Sequence, residues 1–129
     1  MGLLDALRPK WKNSDADVRL AAAKELQDQE ILAAIIIEDP EWFVRHNTLI
    51  RLRELNPDQQ WYGKIMRECK DEEIRRKVVK VMTDAADIEW VVKNDEYRYV
   101  RDAAEHRLGE IKTGAWKDGD SVMSTTPNE

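Results

Sequence analysis

Asp39-Pro40-Glu41-Trp42-Phe43-Val44-Arg45-His46-Asn47-Thr48-Leu49-Ile50-Arg51-Leu52 is the stretch on which the fold turns. Val44, Thr48 and Leu52 fall four residues apart, the spacing of one stripe along an α-helix. Asp39-Pro40-Glu41 ahead of them reads as a cap residue followed by proline at the first helical position. An aliphatic residue followed by Arg, with an apolar residue eight positions on, then recurs in both directions. The other copies are Val18-Arg19…Leu26, Ile74-Arg75…Met82 and Val100-Arg101…Leu108, at spacings of 26, 30 and 26 residues. A period of this length marks stacked supersecondary units.

The remaining stripes are Val18-Ala22-Leu26, Ile74-Val78-Met82 and Val100-Ala104-Leu108. Ser14 ahead of Asp15-Ala16-Asp17 reads as a hydroxyl N-cap with carboxylates in the first turn. Shorter apolar segments lie between the striped helices: Ile31-Leu32…Ile35-Ile36, Trp61…Ile65-Met66 and Ile88…Val91-Val92. Leu3-Leu4…Leu7…Trp11 takes that part at the start, with a kink at Pro9. Asn56-Pro57-Asp58 reads as a cap on the Trp61 segment. The expectation is an all-α fold, an α-solenoid of eight helices in four antiparallel pairs. Helices this short bury their stripes on their neighbours or do not form. Residues 1–112 are read as the repeat domain and residues 113–129 as a disordered tail. That tail contains Gly114, Gly119, Ser121, Ser124 and Pro127, and Trp116 and Met123 are its only large apolar residues.

Asp39 precedes Arg45 by six residues, Asp95 precedes Arg101 by six, and Asn13 precedes Arg19 by six. On these spacings the chain resembles the short HEAT repeat family, of the type also found in phycobilisome lyases. The resemblance covers roughly residues 3–111 and suits a small bacterial-type repeat protein. It implies that the acidic residue occupies the turn within each helix pair and that the Arg opens the second helix. Asn13, Arg19, Asp39, Arg45, Arg75, Asp95 and Arg101 would then form a structural ladder from repeat to repeat. The third unit departs from the pattern, because Cys69 stands six residues before Arg75; one rung would then be missing or differently paired, with Asp71 a candidate substitute. The physical need for such a ladder is independent of family: a guanidinium between repeats requires charge-assisted hydrogen bonds to offset its desolvation.

Composition sets the bounds. At 129 residues there is room for one domain, and 36% charged residues suit a helical protein with wet outer faces. The longest apolar run, Ile31–Ile37, is seven residues, far short of a membrane span. The start, Met1-Gly2-Leu3-Leu4-Asp5-Ala6, carries neither a signal-peptide pattern nor a myristoylation motif. The single Cys69 agrees with a reducing compartment, and the expected location is cytoplasmic. The net charge of −5 argues against nucleic acid as a partner.

No catalytic, cofactor or metal set emerges. His46 and His106 lie two repeats apart, about 20 Å at the usual spacing of packed helices, whereas metal–ligand bonds are about 2 Å. There is no glycine-rich phosphate loop, no Cys-x-x-Cys and no nucleophile elbow. Cys69 lies beside Arg67, Glu68 and Lys70 and reads as a small residue filling a turn. Trp11, Trp61 and Trp90 read as core residues. Trp42 stands where the other units have Ala16, Glu72 and Arg98, which marks it as a candidate surface anchor.

Counted from the aliphatic residue before each Arg, positions +2, +6 and +9 point away from the stripe. They include Leu20, His46, Arg76 and Asp102 at +2, Lys24, Ile50, Lys80 and His106 at +6, and Arg53 at +9. Four cations face one carboxylate there, with Leu20 and Ile50 as exposed aliphatics. The expected function is a non-enzymatic protein–protein interaction module, a scaffold or adaptor. It would bind a partner protein, or an acidic peptide from one, along this concave inner face through Leu20, Lys24, Trp42, His46, Ile50, Arg53, Arg76 and Lys80. Two alternatives follow from the resemblance: a subunit of a bilin-lyase-like or other enzyme complex, and nucleic-acid binding as in HEAT-like DNA glycosylases. The small basic excess weighs against the second.

Overall fold

Carboxylates start most of the helices. In the computed structural model, which describes residues 7–114, Asp15, Asp28, Asp58 and Asp84 are the N-caps of α1 (Ala16–Glu25), α2 (Gln29–Glu38), α4 (Gln59–Glu68) and α6 (Ala85–Asn94). Each accepts a backbone N–H two or three residues on, at 2.8–3.1 Å. A cap of this kind stabilises by about 1 kcal/mol. The N-cap of α1 is therefore Asp15 rather than Ser14. The remaining helices are α3 (Trp42–Glu54), α5 (Glu72–Val79) and α7 (Arg98–Thr113), with a 3-10 turn at Lys10–Lys12.

The described residues are all helical, with seven α-helices and no strand. The expected first helix falls partly on residues 3–6, outside the described residues, and its remainder from Lys10 to Lys12 is a 3-10 turn. Residues 115–129, with Trp116 and Met123, also lie outside. Helix α7 runs to Thr113 and is capped by Gly114 at φ 79°, the left-handed conformation that glycine adopts without Cβ strain.

Helices α3 and α7 start differently from the others. Glu41 and Tyr97 take the N-cap positions and make no side-chain cap. Asp39 and Asp95, the C-cap residues of α2 and α6, accept the Glu41 and Tyr97 N–H groups at 3.0 Å each. Pro40 thus lies in the turn, two residues ahead of α3, and not at the first helical position.

The chain divides after Arg75 into two units. In the first, α2 packs on α3 and α4, and α1 packs on α3 and the 3-10 turn. Its core includes the cluster Ala23, Ile35 and Val44, against which Trp11, Leu20, Leu26 and Phe43 pack. Val44, Thr48 and Leu52 are fully buried along α3, joined by Leu49. Each fully buried aliphatic side chain of this size contributes roughly 1.5–3 kcal/mol. On α1 the expected stripe Val18-Ala22-Leu26 is only half-buried, and Ala23 is the residue sealed in the core. In the second unit α6 packs on α7, burying Ile88 and Val91 on one helix and Val100 and Ala104 on the other. Trp90, expected in the core, is 36% exposed.

The sequence also recurs at a longer period. Positions 56 residues apart, the sum of one 26- and one 30-residue spacing, share Asp15/Asp71, Lys24/Lys80, Asp28/Asp84, Asp39/Asp95, Arg51/Arg107 and Glu54/Glu110. The pattern Val-Arg-x5-Arg-Leu-x-Glu opens at Val44 and again at Val100. The period underlying the four units is therefore a double repeat.

Candidate functional site

The arginines at the shared repeat position make one common contact. Nη1 of Arg19, Arg45, Arg75 and Arg101 donates to the carbonyl six residues back: Asn13 at 3.0 Å, Asp39 at 2.8 Å, Cys69 at 2.8 Å and Asp95 at 2.7 Å. The six-residue spacing therefore reflects a backbone acceptor, which any residue supplies. Cys69 fulfils it as well as an aspartate does.

The carboxylate contacts run from one repeat to the next. Arg19 holds Asp39 bidentately, Nε to Oδ2 at 2.8 Å and Nη2 to Oδ1 at 3.1 Å. Hydrogen bonding to Asp39 raises the Arg19 pKa and outweighs the opposing effect of burial. Arg45 holds Asp71 through Nε at 3.2 Å and Nη2 at 3.0 Å. Asp71 also accepts the Glu73 and Ile74 N–H groups at the start of α5. In the third unit, then, the side-chain acceptor sits two residues beyond Cys69. Burial pushes the Asp71 pKa up, but hydrogen bonds from Arg45, Ile74 and His46 outweigh it, and the net shift is downward.

His46 corrects the picture of a freely solvated inner face. Its Nε2 lies 3.1 Å from Asp71 Oδ2, and its ring meets Trp42 edge-on at 5.9 Å. Leu20 is half-buried and packs on the Ala23–Ile35–Val44 cluster, so it is a core residue rather than an exposed aliphatic. The cause is the width of the core arc. Leu49, at +5, is buried too, which puts +2 at the edge of the buried side and +6 at the centre of the wet side.

What remains exposed on the first unit is a stripe of α3. Trp42, 65% exposed, and Ile50, 55% exposed, lie on it with the half-buried His46 between them, each four residues from the next, and Phe43 is 6.1 Å from Trp42. The exposed cations Arg53 on α3 and Lys24 on α1 belong to the same unit. In the second unit Arg76 is half-buried on α5, and Lys80 is exposed one residue past the end of that helix.

The α7 residues 56 positions on provide a comparison. Arg98, Asp102 and His106 replace Trp42, His46 and Ile50. They form solvated i,i+4 pairs, Arg98 with Asp102 and His106 with Glu110, each at 3.7 Å. A helix at this place in the repeat folds with charged residues there, so α3 does not need Trp42 or Ile50 in order to form.

Two arginines were not legible as a set. Arg51 and Arg107 donate through Nε to the carbonyls of Leu26 and Met82 at 2.9 and 2.8 Å, and pair with Glu54 and Glu110. Their sequence signal is the 56-residue recurrence of Arg-Leu-x-Glu. Cys69 is buried, its Sγ 3.5 Å from the Ile36 carbonyl, and burial raises its thiol pKa, the opposite of a reactive cysteine. Among the described residues no three His, Cys, Asp or Glu side chains come together as a metal set, and no helix is long and apolar enough to cross a membrane. An open cleft lined by Ile37, Asp39, Arg45, Lys70, Asp71 and Glu72 surrounds the Arg45–Asp71 pair, whose charges already satisfy one another.

No family model matches the chain, and neither a curated protein nor a solved structure matches it.

Proposed function

We propose that the chain is a short HEAT-like α-solenoid of antiparallel helix pairs that works as a non-enzymatic protein-binding module. The recurring Arg contacts, each made at the same repeat position, support the repeat architecture. The observation that carries the binding role is the α3 stripe. Trp42 and Ile50 stand exposed where α7 carries Arg98 and His106, and apolar surface that folding does not require costs solubility unless a partner covers it. Lys24 and Arg53 are exposed cations of the same unit, which suits an acidic partner segment with two or three apolar anchors.

The test is retention of a native partner on the immobilised chain. Trp42→Ala with Ile50→Ala should weaken retention at least tenfold, about 1.4 kcal/mol. Lys24→Glu with Arg53→Glu should weaken it most at low salt, because exposed charges are screened within about 8 Å at physiological ionic strength. Retention that survives both pairs of substitutions rules out this face.

A further inference from the structure

Arg101 differs from Arg19 and Arg45 in one respect. All three direct Nη1 to the carbonyl six residues back, and Arg19 and Arg45 each use Nε and Nη2 to grip a carboxylate of the following repeat. Among the described residues no carboxylate meets Nε or Nη2 of Arg101. The side chain is half-buried and fixed by its 2.7 Å contact with the Asp95 carbonyl. A guanidinium held in this way offers a preset fork whose preferred ligand is a carboxylate.

The double repeat indicates which carboxylate fits. Arg101 is the 56-residue counterpart of Arg45, and the partner of Arg45 is Asp71. The counterpart of Asp71 one double repeat onward is Pro127, and one double repeat back it is Asp15. Asp71 caps α5 through Oδ1 and presents Oδ2 to Arg45. Asp15 caps α1 through Oδ1 at 2.8 Å, is exposed, and has no hydrogen bond to Oδ2 among the described residues. The acceptor is thus prepared at the start of α1 and the donor near the start of α7.

Apolar burial is incomplete at the same two places. The α1 stripe Val18-Ala22-Leu26 is half-buried, whereas its counterpart Ile74-Val78-Met82 is fully buried. Leu108 on α7 is half-buried, whereas its counterpart Leu52 on α3 is fully buried. Leu7, ahead of the 3-10 turn that packs on α1, is 81% exposed.

We propose that copies of this chain associate head to tail, Arg101 of one copy gripping Asp15 of the next and repeating between chains the rung that Arg45 and Asp71 make within one. This rests on the helix-pair stack proposed above. A contact between two different surfaces is not a two-fold dimer contact, so it builds chains of copies, or rings of more than two where the rotation closes. The net charge of −5 opposes the assembly, so it takes high protein concentration to populate it.

Sedimentation velocity on the full chain tests this. The mean mass should rise with concentration and pass the dimer without a plateau. Arg101→Glu alone and Asp15→Arg alone should each weaken association at least tenfold. Mixed one to one, they should assemble again, because Arg101 of the second meets Asp15 of the first and the introduced glutamate of the first meets the introduced arginine of the second. Asp15→Asn keeps the helix cap and should weaken association as well, which separates charge from folding. The proposal is overturned if the full chain stays monomeric into the millimolar range, if either variant assembles like the unsubstituted chain, or if the mixture stays monomeric. A monomeric full chain that assembles once Asp118→Asn and Asp120→Asn are introduced overturns it in favour of the chain's own C-terminal residues as the occupant of Arg101. None of these substitutions touches Trp42 or Ile50, so partner capture and self-association fail separately.

Discussion

Arg45 and Asp71, 26 residues apart, are joined through Nε and Nη2 of the arginine and Oδ2 of the aspartate, while Oδ1 of the same carboxylate caps α5. One side chain therefore both starts a helix and ties it to the preceding repeat. Removing it leaves the Arg45 guanidinium without its carboxylate and α5 without its cap. Asp71→Ala should cost roughly 2–4 kcal/mol, combining a lost cap with a stranded charge. Cys69→Ala should cost about 1 kcal/mol, since Arg75 uses only its carbonyl. Chemical denaturation of the two variants checks this, and a costlier Cys69→Ala would mean that the side chain six residues before the Arg matters after all.

Helix phasing is tested by two arginines on α3. Arg45→Ala should destabilise by roughly 1–3 kcal/mol, because Asp71, nearly buried, loses the two guanidinium donors on Oδ2. Arg53 is exposed, and Arg53→Ala should change stability by less than about 0.5 kcal/mol. Equal shifts in the denaturation midpoints would contradict the assigned faces.

The depressed Asp71 pKa makes stability depend on acid in a definite direction. Its folded-state pKa lies below the ordinary carboxylate value of about 3.9. Its contribution is therefore fully present above about pH 3.9 and is lost as pH falls through the lower, folded-state pKa. The stability gap between the unsubstituted chain and Asp71→Asn should be constant from neutral pH to about 5 and close at the acid end. A gap that widens in acid would mean the opposite sign of shift.

The helical class was legible because the stripe period is local. Val44, Thr48 and Leu52 are buried as their spacing predicts. The carboxylate contacts were less legible, because an x5 spacing between Asp and Arg is equally consistent with a side-chain or a backbone acceptor, and backbone acceptors leave no trace in residue type. Leu20 and His46 misled for a geometrical reason: one extra buried position on each helix, Ala23 on α1 and Leu49 on α3, widens the core arc enough to leave +2 half-buried there. The exposure of Trp42 was readable because its counterparts in the other units are small or polar, a comparison the repeat itself supplies.

Arg107 is only 6% exposed, and its Nε donates to the Met82 carbonyl at 2.8 Å. Arg107→Ala should cost about 2–3 kcal/mol, because a buried carbonyl loses its donor and the side-chain stem leaves a void. Arg51 makes the equivalent contact with Leu26 from a more exposed position, and Arg51→Ala should cost about half as much. Thermal melts of both variants give the order, and reversal of that order would contradict the burial difference.

The α3 stripe can be rebuilt from the α7 residues at the same repeat positions. Trp42→Arg with Ile50→His introduces the residues found at 98 and 106, where they are solvated and paired within the helix. Trp42 and Ile50 are more than half exposed, so little apolar burial is lost with them. Trp42 does give up its edge contacts with Phe43 and His46, each worth at most about 0.5–1.5 kcal/mol. The double variant should therefore melt within a few degrees of the unsubstituted chain and be the more soluble of the two, while losing its native partner. Circular dichroism melts beside partner retention separate the two effects. A drop in stability of several kcal/mol would show that the stripe belongs to the core of the first unit, and its exposure would then no longer argue for a binding surface.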